Sequence, residues 1–439
     1  MDTLTKSQQS LRKIVISHYL AAAFTFLVLA PMLFLSADDF GGHYFQPHLL
    51  AITHTAALGW LCVIVFGICY QFTPLIFGED IYSYKLAWFA LATFYLGLID
   101  FVYSFWVFEP GLHMQCGSLL LLVGISSFSA NIFMAAKKIV KPDIHQDFML
   151  SACVWLLVTA VLGVLMVFNF RYAFLPQDHL LFLKLHAHAG LGGWFLLLII
   201  GLSGKLLSLN TVSKALNVAR LSWSFYLINA ALILFFACTY LFGITWLTYI
   251  IVLLAVMGII NWLLVVYNFF IVMISSKKNL LSSYVLLGFV ALLIAIFTLP
   301  FIVYYQLNAN SLAVRLTTIY GALLLFGWLS PLILGTTFKM LNLLFNSEKS
   351  QYLSQLQQSN ILEKFNNKFL RFQFFTFLMF IVTFTAGVAF TSLPFVYAGI
   401  ICFFASAVLY LFNVLMVLLK PDSTSFVNLI EAQPKFDEN

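Results

Sequence analysis

The chain has 439 residues, of which 62% are hydrophobic and only 9% are charged, and its formal net charge is +6. Soluble domains carry roughly 25% charged residues, so this chain cannot cover itself with a water-facing surface, and a soluble globular protein is excluded. The composition predicts an integral membrane protein in contact with membrane lipid. The small excess of positive charge does not indicate a nucleic-acid partner.

Twelve apolar runs follow the polar, basic N-terminal residues 1–13. Because a transmembrane helix needs about 20 apolar residues, we expect an all-α polytopic membrane protein with about twelve transmembrane helices. The whole chain, residues 1–439, would form one membrane domain with a longer polar loop at 345–369. The predicted spans lie near residues 14–35, 49–77, 84–107, 111–136, 148–170, 180–208, 219–242, 245–274, 281–305, 311–344, 370–391 and 392–419.

The basic residues are distributed unevenly between the two sides of these spans. Of the 22 lysines and arginines, all but Arg171, Lys184 and Arg315 fall on the side of the N-terminus. Cytoplasmic segments are enriched in Lys and Arg. We therefore predict a multi-pass protein of the bacterial inner membrane with both termini, and the loop 345–369, in the cytoplasm.

A Gly-Trp pair, followed eight residues after its glycine by a further glycine, occurs three times. The pairs begin at Gly59, Gly193 and Gly327, at a constant interval of 134 residues. Recurrence at one period indicates an internal repeat. We predict three pseudo-symmetric repeats of four helices, over approximately residues 14–140, 148–275 and 281–419.

Histidines precede the Gly-Trp pair in two of the three copies. His54 and His188 each lie five residues before the pair, His186 lies two residues earlier, and Ala322 fills the same position in the third copy. An ionisable residue inside a span is costly and is a functional candidate, and neutral imidazole ligates haem iron, copper and zinc. Helix residues advance by about 100°, so His186 and His188 should point to opposite sides of their helix.

These histidine stretches resemble subunit I of the haem-copper oxidase superfamily. Residues 186–194, His-Ala-His-Ala-Gly-Leu-Gly-Gly-Trp, resemble the His-x-His-x-Gly-x-x-Gly-Trp motif on the tenth span of the C-type oxidases. Residues 54–60, His-Thr-Ala-Ala-Leu-Gly-Trp, and 70–74 resemble the second span, which supplies a low-spin haem ligand. The chain is also similar to the NnrS-type membrane proteins, which bind haem and copper and are linked to nitric-oxide stress. The resemblance implies twelve spans in three groups of four, with haem held in the outer half.

The sequence departs from that superfamily at the oxygen-reducing centre. Residues 319–323 read Ile-Tyr-Gly-Ala-Leu, and residues 219–242 contain no histidine, where an oxidase has the ligands of its haem and copper. We therefore expect a divergent homologue that acts in respiratory electron transfer or nitric-oxide handling and lacks the usual binuclear centre. A cytochrome c or other electron-transfer partner would be a separate chain, because no Cys-x-x-Cys-His motif is present.

The repeat leads to a specific prediction of the cofactor site. We predict a low-spin b-type haem clamped between the equivalent histidines His54 and His188. His186 would ligate a second haem or a copper ion toward span ten, where Tyr320 occupies the matching position. The cations on the outer side would pair with the haem propionates: Arg171, Lys184 and Arg315. A separate copper or zinc site is conceivable in the outer loop, from carboxylates and imidazoles: Asp38, Asp39, His43 and His48.

Two other functions remain open from the sequence. One is an active terminal oxidase or nitric-oxide reductase with a rearranged site, which would need an open-coordination haem and a second metal in addition to the clamped haem. The other is a transporter or cofactor-handling protein on the same fold, since internal repeats are common in transporters. Haem content would separate the transporter from the haem protein.

Overall fold

The computed structural model describes residues 6–137, 143–210, 217–275, 280–345 and 368–418. Nearly all of the loop 345–369 and the whole C-terminal tail lie outside the described residues, so the prediction for that loop falls outside them too. The described residues form helices and no strand, and twelve helices are long and apolar enough to cross a membrane. The protein is an all-α polytopic membrane protein, as predicted. The spans are α1 Lys6–Leu35, α2 Pro47–Phe77, α3 Tyr84–Trp106, α4 Leu112–Ala136, α5 Ile144–Tyr172, α6 His179–Leu207, α7 Val218–Phe242, α8 Leu247–Tyr267, α9 Ser282–Leu307, α10 Leu312–Leu341, α11 Lys368–Ala389 and α12 Leu393–Leu418.

A π-helical segment lies at the Gly-Trp pair in each of α2, α6 and α10. The segments are Thr55–Cys62, Ala189–Leu196 and Leu323–Leu329. Each begins directly after the position that histidine holds in the first two copies and alanine in the third. π-Helical turns are rare and occur often at functional sites. The same irregularity at the same place in three helices supports a helical repeat.

The glycine of each Gly-Trp pair allows close packing against the first helix of its own group of four. A Cβ atom added there would lie only 2.4–2.9 Å from a side-chain atom of α1, α5 or α9. Interiors packed at this density cannot accept an extra methyl group without movement. The three equivalent contacts are Gly59 with Thr25, Gly193 with Trp155, and Gly327 with Ala291.

The three buried tryptophans of these pairs differ in the partner of the indole N–H. Trp60 donates its indole N–H to Ser330 Oγ of α10 at 3.0 Å. Trp194 approaches the Cys62 thiol of α2, a weak acceptor, without reaching hydrogen-bond geometry. Ser330 and Cys62 each lie two residues after the tryptophan of their own helix. In α6 that position is Leu196, which cannot accept, and the third indole N–H has no hydrogen-bond partner among the described residues.

Three seams join the groups of four helices, and they are filled differently. The first seam joins α4 to α5, the second joins α8 to α9, and the third joins α12 to α1. Aromatic rings fill the third seam, where the Phe26 ring centroid lies 4.4 Å from that of Trp60 and 4.8 Å from that of Phe403. A cavity of about 480 Å³ extends along the first two seams. Over the described residues, α8 and α9 pack less closely than the helix pairs at the other two seams.

Candidate functional site

The cavity borders all three histidines that precede the Gly-Trp pairs, and its walls are otherwise mostly apolar. It has two lobes on opposite sides of α6. The first lobe lies in the first seam and includes His54, Phe101 and His186, and the second lies in the second seam and includes His188 and Tyr320. The volume falls within the range of about 300–1,000 Å³ that is usual for cofactor and ligand sites.

In the first lobe, the imidazoles of His54 and His186 lie close to each other across the seam. Their ring centroids are 6.3 Å apart, and their planes are inclined by 42°. A metal–imidazole bond of about 2 Å places a ring centroid about 3 Å from the metal. Two imidazoles that oppose each other on one metal therefore have centroids about 6 Å apart, so the spacing suits a single metal held between these two rings.

Backbone carbonyls orient all three imidazoles in the same way. A carbonyl oxygen only accepts hydrogen bonds, so each Nδ1 atom must carry the proton and each Nε2 atom is left with its lone pair. Histidines that ligate metals almost always donate their other N–H to such an acceptor. The Nδ1 donors and carbonyl acceptors are His54 and Leu50 at 2.7 Å, His186 and Thr159 at 2.9 Å, and His188 and Lys184 at 2.8 Å.

The residues around the first lobe are also mostly apolar, as the surroundings of a bis-histidine haem are. The rings of Phe101 and Phe105 each lie 5.1 Å from the His54 ring and provide apolar contact surface. Gly163 faces the other imidazole, since a Cβ atom there would lie 3.2 Å from His186 Cε1. The donor atoms, their spacing and the surrounding apolar wall therefore fit a low-spin haem.

In the second lobe, His188 faces α10 instead of α2. Its ring lies 6.4 Å from the Tyr320 ring, with an angle of 23° between the planes, and 4.7 Å from the Phe235 ring of α7. His186 and His188 thus point to opposite sides of α6, which confirms the prediction made from the helical period. Tyr320 faces a histidine, as expected, but that histidine is His188.

The ring contacts therefore differ from the predicted pairing of His54 with His188: His54 lies against His186, and His188 lies against Tyr320. Equivalent residues of a cyclic repeat all point in the same rotational sense, each toward the next unit, so they cannot face each other. A facing pair must combine two different positions of the repeat. Here the histidine position of one repeat faces the residue that lies two places before the histidine position in the next repeat. The sequence interval of 134 residues then relates three pairs: His54 with His186, His188 with Tyr320, and Ala322 with Ile52.

The outer-side cations are placed unequally with respect to the cavity. Lys184 borders it, whereas Arg171 and Arg315 are exposed and are not among the residues of its wall. Lys184 also borders a smaller pocket of about 260 Å³ with Asp178 and Gln306. This smaller pocket adjoins the second lobe, because both cavities share Lys184 and Gln306.

The outer loop brings together only part of the second predicted metal site. His48 Nδ1 lies 2.7 Å from Asp39 Oδ2, and the His48 ring lies 4.5 Å from the Trp106 ring. His43 instead accepts a hydrogen bond from the Phe45 backbone N–H at 3.0 Å. Among the described residues, no three His, Cys, Asp or Glu side chains come together at one point.

The tyrosine beside this loop borders the main cavity. Tyr44 lies outside the membrane-spanning helices, and burial raises the pKa of its phenol, with a further contribution from the Asp178 carboxylate. Its hydroxyl therefore stays protonated at neutral pH and can act as a hydrogen-bond donor.

No protein-family model matches this sequence, and no curated protein matches it. The site must therefore be interpreted from its own residues. The contacts that sequence reasoning missed are the carbonyl of Thr159 and the two phenylalanines beside His54. A carbonyl carries no residue-specific signal, so Thr159 could not have been found from the sequence. The repeat also identifies the position two residues before His54, His188 and Ala322, where the chain has Ile52, His186 and Tyr320.

Proposed function

We propose that this protein is a haem-binding membrane protein related in architecture to the haem-copper oxidases, with one low-spin b-type haem held by His54 and His186. The observation that supports this most strongly is the pair of imidazoles in the first lobe. Their centroids are 6.3 Å apart, both Nδ1 atoms donate to carbonyls, and both rings border the cavity. When bound, a bis-histidine haem supplies one-electron redox chemistry.

The side chains around the first lobe would set the properties of this haem. His54 and His186 hold the iron, and the carbonyls of Leu50 and Thr159 keep both rings in one orientation. The apolar walls exclude water, and a dry site favours the less charged oxidation state of a cofactor. Lys184 borders the cavity on the side of the second lobe, and Arg171 and Arg315 are exposed, so none of these three cations is assigned to a propionate of this haem.

We assign the protein to electron transfer or nitric-oxide handling in a bacterial inner membrane, with both termini in the cytoplasm. The distribution of lysines and arginines supports this orientation. A cytochrome c or another electron-transfer subunit would be its redox partner, and copper is an alternative metal for the imidazole pair. Among the described residues, no observation favours the terminal-oxidase or transporter alternatives over this function.

Absorption spectra of the oxidised and dithionite-reduced purified protein test the proposal. We expect about one haem per chain with sharp reduced bands. His54→Ala and His186→Ala should each abolish the low-spin spectrum. His188→Ala should retain it, because that ring faces the other lobe.

Chemical rescue separates loss of a ligand from loss of the fold. Added imidazole should restore the low-spin spectrum of His186→Gly, since the ligand can occupy the vacated site. The proposal fails if the wild-type protein, expressed in a haem-replete host, contains no haem. The pairing fails if His188→Ala loses the spectrum while His186→Ala keeps it.

A further inference from the structure

The second lobe ends in two polar side chains with unused hydrogen-bonding atoms. His188 keeps Nε2 as an acceptor, because its Nδ1 donates to the Lys184 carbonyl at 2.8 Å. The Tyr320 hydroxyl makes no hydrogen bond to any described residue, and its ring lies 6.4 Å from that of His188. An acceptor and a hydroxyl donor side by side match a ligand oxygen that both donates and accepts.

From this polar end the second lobe continues between α8 and α9, where its walls are apolar. At the outer end of this seam, the Tyr249 hydroxyl donates to the Pro300 carbonyl at 3.3 Å. Elsewhere along their described residues the two helices pack less closely than the helix pairs at the other seams. The residues that form the walls there are Val252, Ala255 and Ile259 of α8 and Leu292, Ile296 and Leu299 of α9.

We infer that the second lobe binds a lipid-soluble quinone or quinol, with the ring at His188 and Tyr320 and the apolar tail between α8 and α9. A quinol hydroxyl can donate to His188 Nε2 while its oxygen accepts from the Tyr320 hydroxyl. A quinone carbonyl can accept from Tyr320 alone. The apolar walls then cover a hydrocarbon tail that leads toward the lipid-facing surface of α8 and α9, where Leu253 and Ile294 are exposed.

Other occupants match a cavity with one polar end and long apolar walls less well. A phospholipid acyl chain would leave the His188 and Tyr320 polar atoms unpaired in an apolar site, which is unfavourable. A diatomic gas would leave most of the apolar wall between α8 and α9 without contact. Lys184 borders the cavity and could pair with an anionic group, but an anion would make no use of the apolar walls between α8 and α9, where no lining residue is a cation.

The inference rests on the proposed function in one respect only: the proposed haem would be the electron acceptor for a bound quinol. His186 and His188 are two residues apart on α6, so a quinol ring in the second lobe would lie next to a haem in the first lobe. The binding site itself contains neither His54 nor His186, so occupancy by quinone and occupancy by haem can be measured separately.

Equilibrium binding of a radiolabelled benzoquinone with a decyl tail, to the purified full-length protein in lipid nanodiscs, tests the inference. Tyr320→Phe keeps the ring and removes the donor, so we expect binding to weaken about 5- to 100-fold. Ala255→Trp should block the seam and weaken binding at least as much. Met257→Trp is the matched control, because Met257 lies on the same helix and is exposed to lipid, and its affinity should equal that of the wild type.

Haem absorbance of the same samples separates the two proposals. Quinone binding without haem would support the quinone site and contradict the haem function, and haem without quinone binding would do the reverse. The quinone site is also overturned if Tyr320→Phe binds like the wild type, or if Met257→Trp loses affinity as strongly as Ala255→Trp. Should Ala255→Trp fail to give a monodisperse protein, Val252→Phe narrows the same seam with a smaller side chain.

Discussion

At the third seam, aromatic rings fill the space between α12 and α1, whereas the first seam contains a cavity and two imidazoles. The ring centroids of Trp60 and Phe403 lie 4.4 Å and 4.8 Å from that of Phe26, and Phe26 is fully buried. His54 and His186 instead border open space. The residues related by the repeat to this pair are Ile52 and Ala322, which cannot ligate a metal.

The second seam is intermediate between these two. It retains the cavity and one histidine, but Tyr320 replaces the second histidine. The same helical arrangement therefore contains a seam with two facing imidazoles, a seam with one imidazole and one phenol, and a packed seam. The cavity is present at both seams that carry a histidine and absent from the seam that carries none.

Removing an aromatic ring should have the largest effect on stability, and the effect should be larger at the packed third seam than beside the cavity. Phe26→Ala leaves a void among tightly packed rings and should reduce the free energy of unfolding by about 3–5 kcal/mol. Phe235→Ala enlarges a cavity that already exists, because Phe235 borders it, and should cost only about 2 kcal/mol. Detergent-denaturation curves of both variants measure the difference, and equal losses would contradict the distinction between packed and open seams.

Adding a methyl group at a glycine should have a smaller effect, which depends on the space around that glycine. A Cβ atom at residue 193 would lie 2.4 Å from Trp155 Cγ, so Gly193→Ala should cost about 1–3 kcal/mol through overpacking. Gly321→Ala is the control, since nothing lies within 4 Å of its added Cβ atom and alanine favours the helix by up to about 1 kcal/mol. The same denaturation assay applies. If both variants lose stability alike, the close contact at Gly193 does not position α6.

Much of the fold could be predicted from the sequence because its signals are local. Apolar length identifies each span, and the interval between Gly59, Gly193 and Gly327 identifies the repeat without any knowledge of packing. The opposite directions of His186 and His188 follow from the helical period alone. The π-helical segments were not predicted, since no residue type distinguishes an i→i+5 turn from an α-helical one.

The partner of each histidine could not be read from the sequence in the same way. Equivalence in the repeat suggested His54 with His188, but a cyclic arrangement requires non-equivalent partners. That rule becomes available only once the three helices are known to surround one axis. The unequal filling of the seams also depends on contacts between residues far apart in the chain, such as Phe26 and Phe403.

An effect of similar size to that at Gly193 is expected at the hydrogen bond that joins Trp60 to Ser330. Ser330→Ala removes the acceptor of the buried Trp60 N–H, so the free energy of unfolding should fall by about 1–3 kcal/mol. Ser330→Cys should lose less, because a thiol is a weak acceptor and cysteine already holds the equivalent position at residue 62. Fluorescence of the tryptophans and denaturation curves would report both changes.

The third tryptophan supplies the matched comparison for this prediction. Trp328 already lacks a partner among the described residues, and Leu196 occupies the position from which an acceptor would be expected. Leu196→Ala should therefore cost only what the lost leucine contacts cost, with no change in the hydrogen bonding of the indole. If Ser330→Ala is as stable as the wild type, the Trp60 hydrogen bond contributes nothing measurable to the free energy of unfolding.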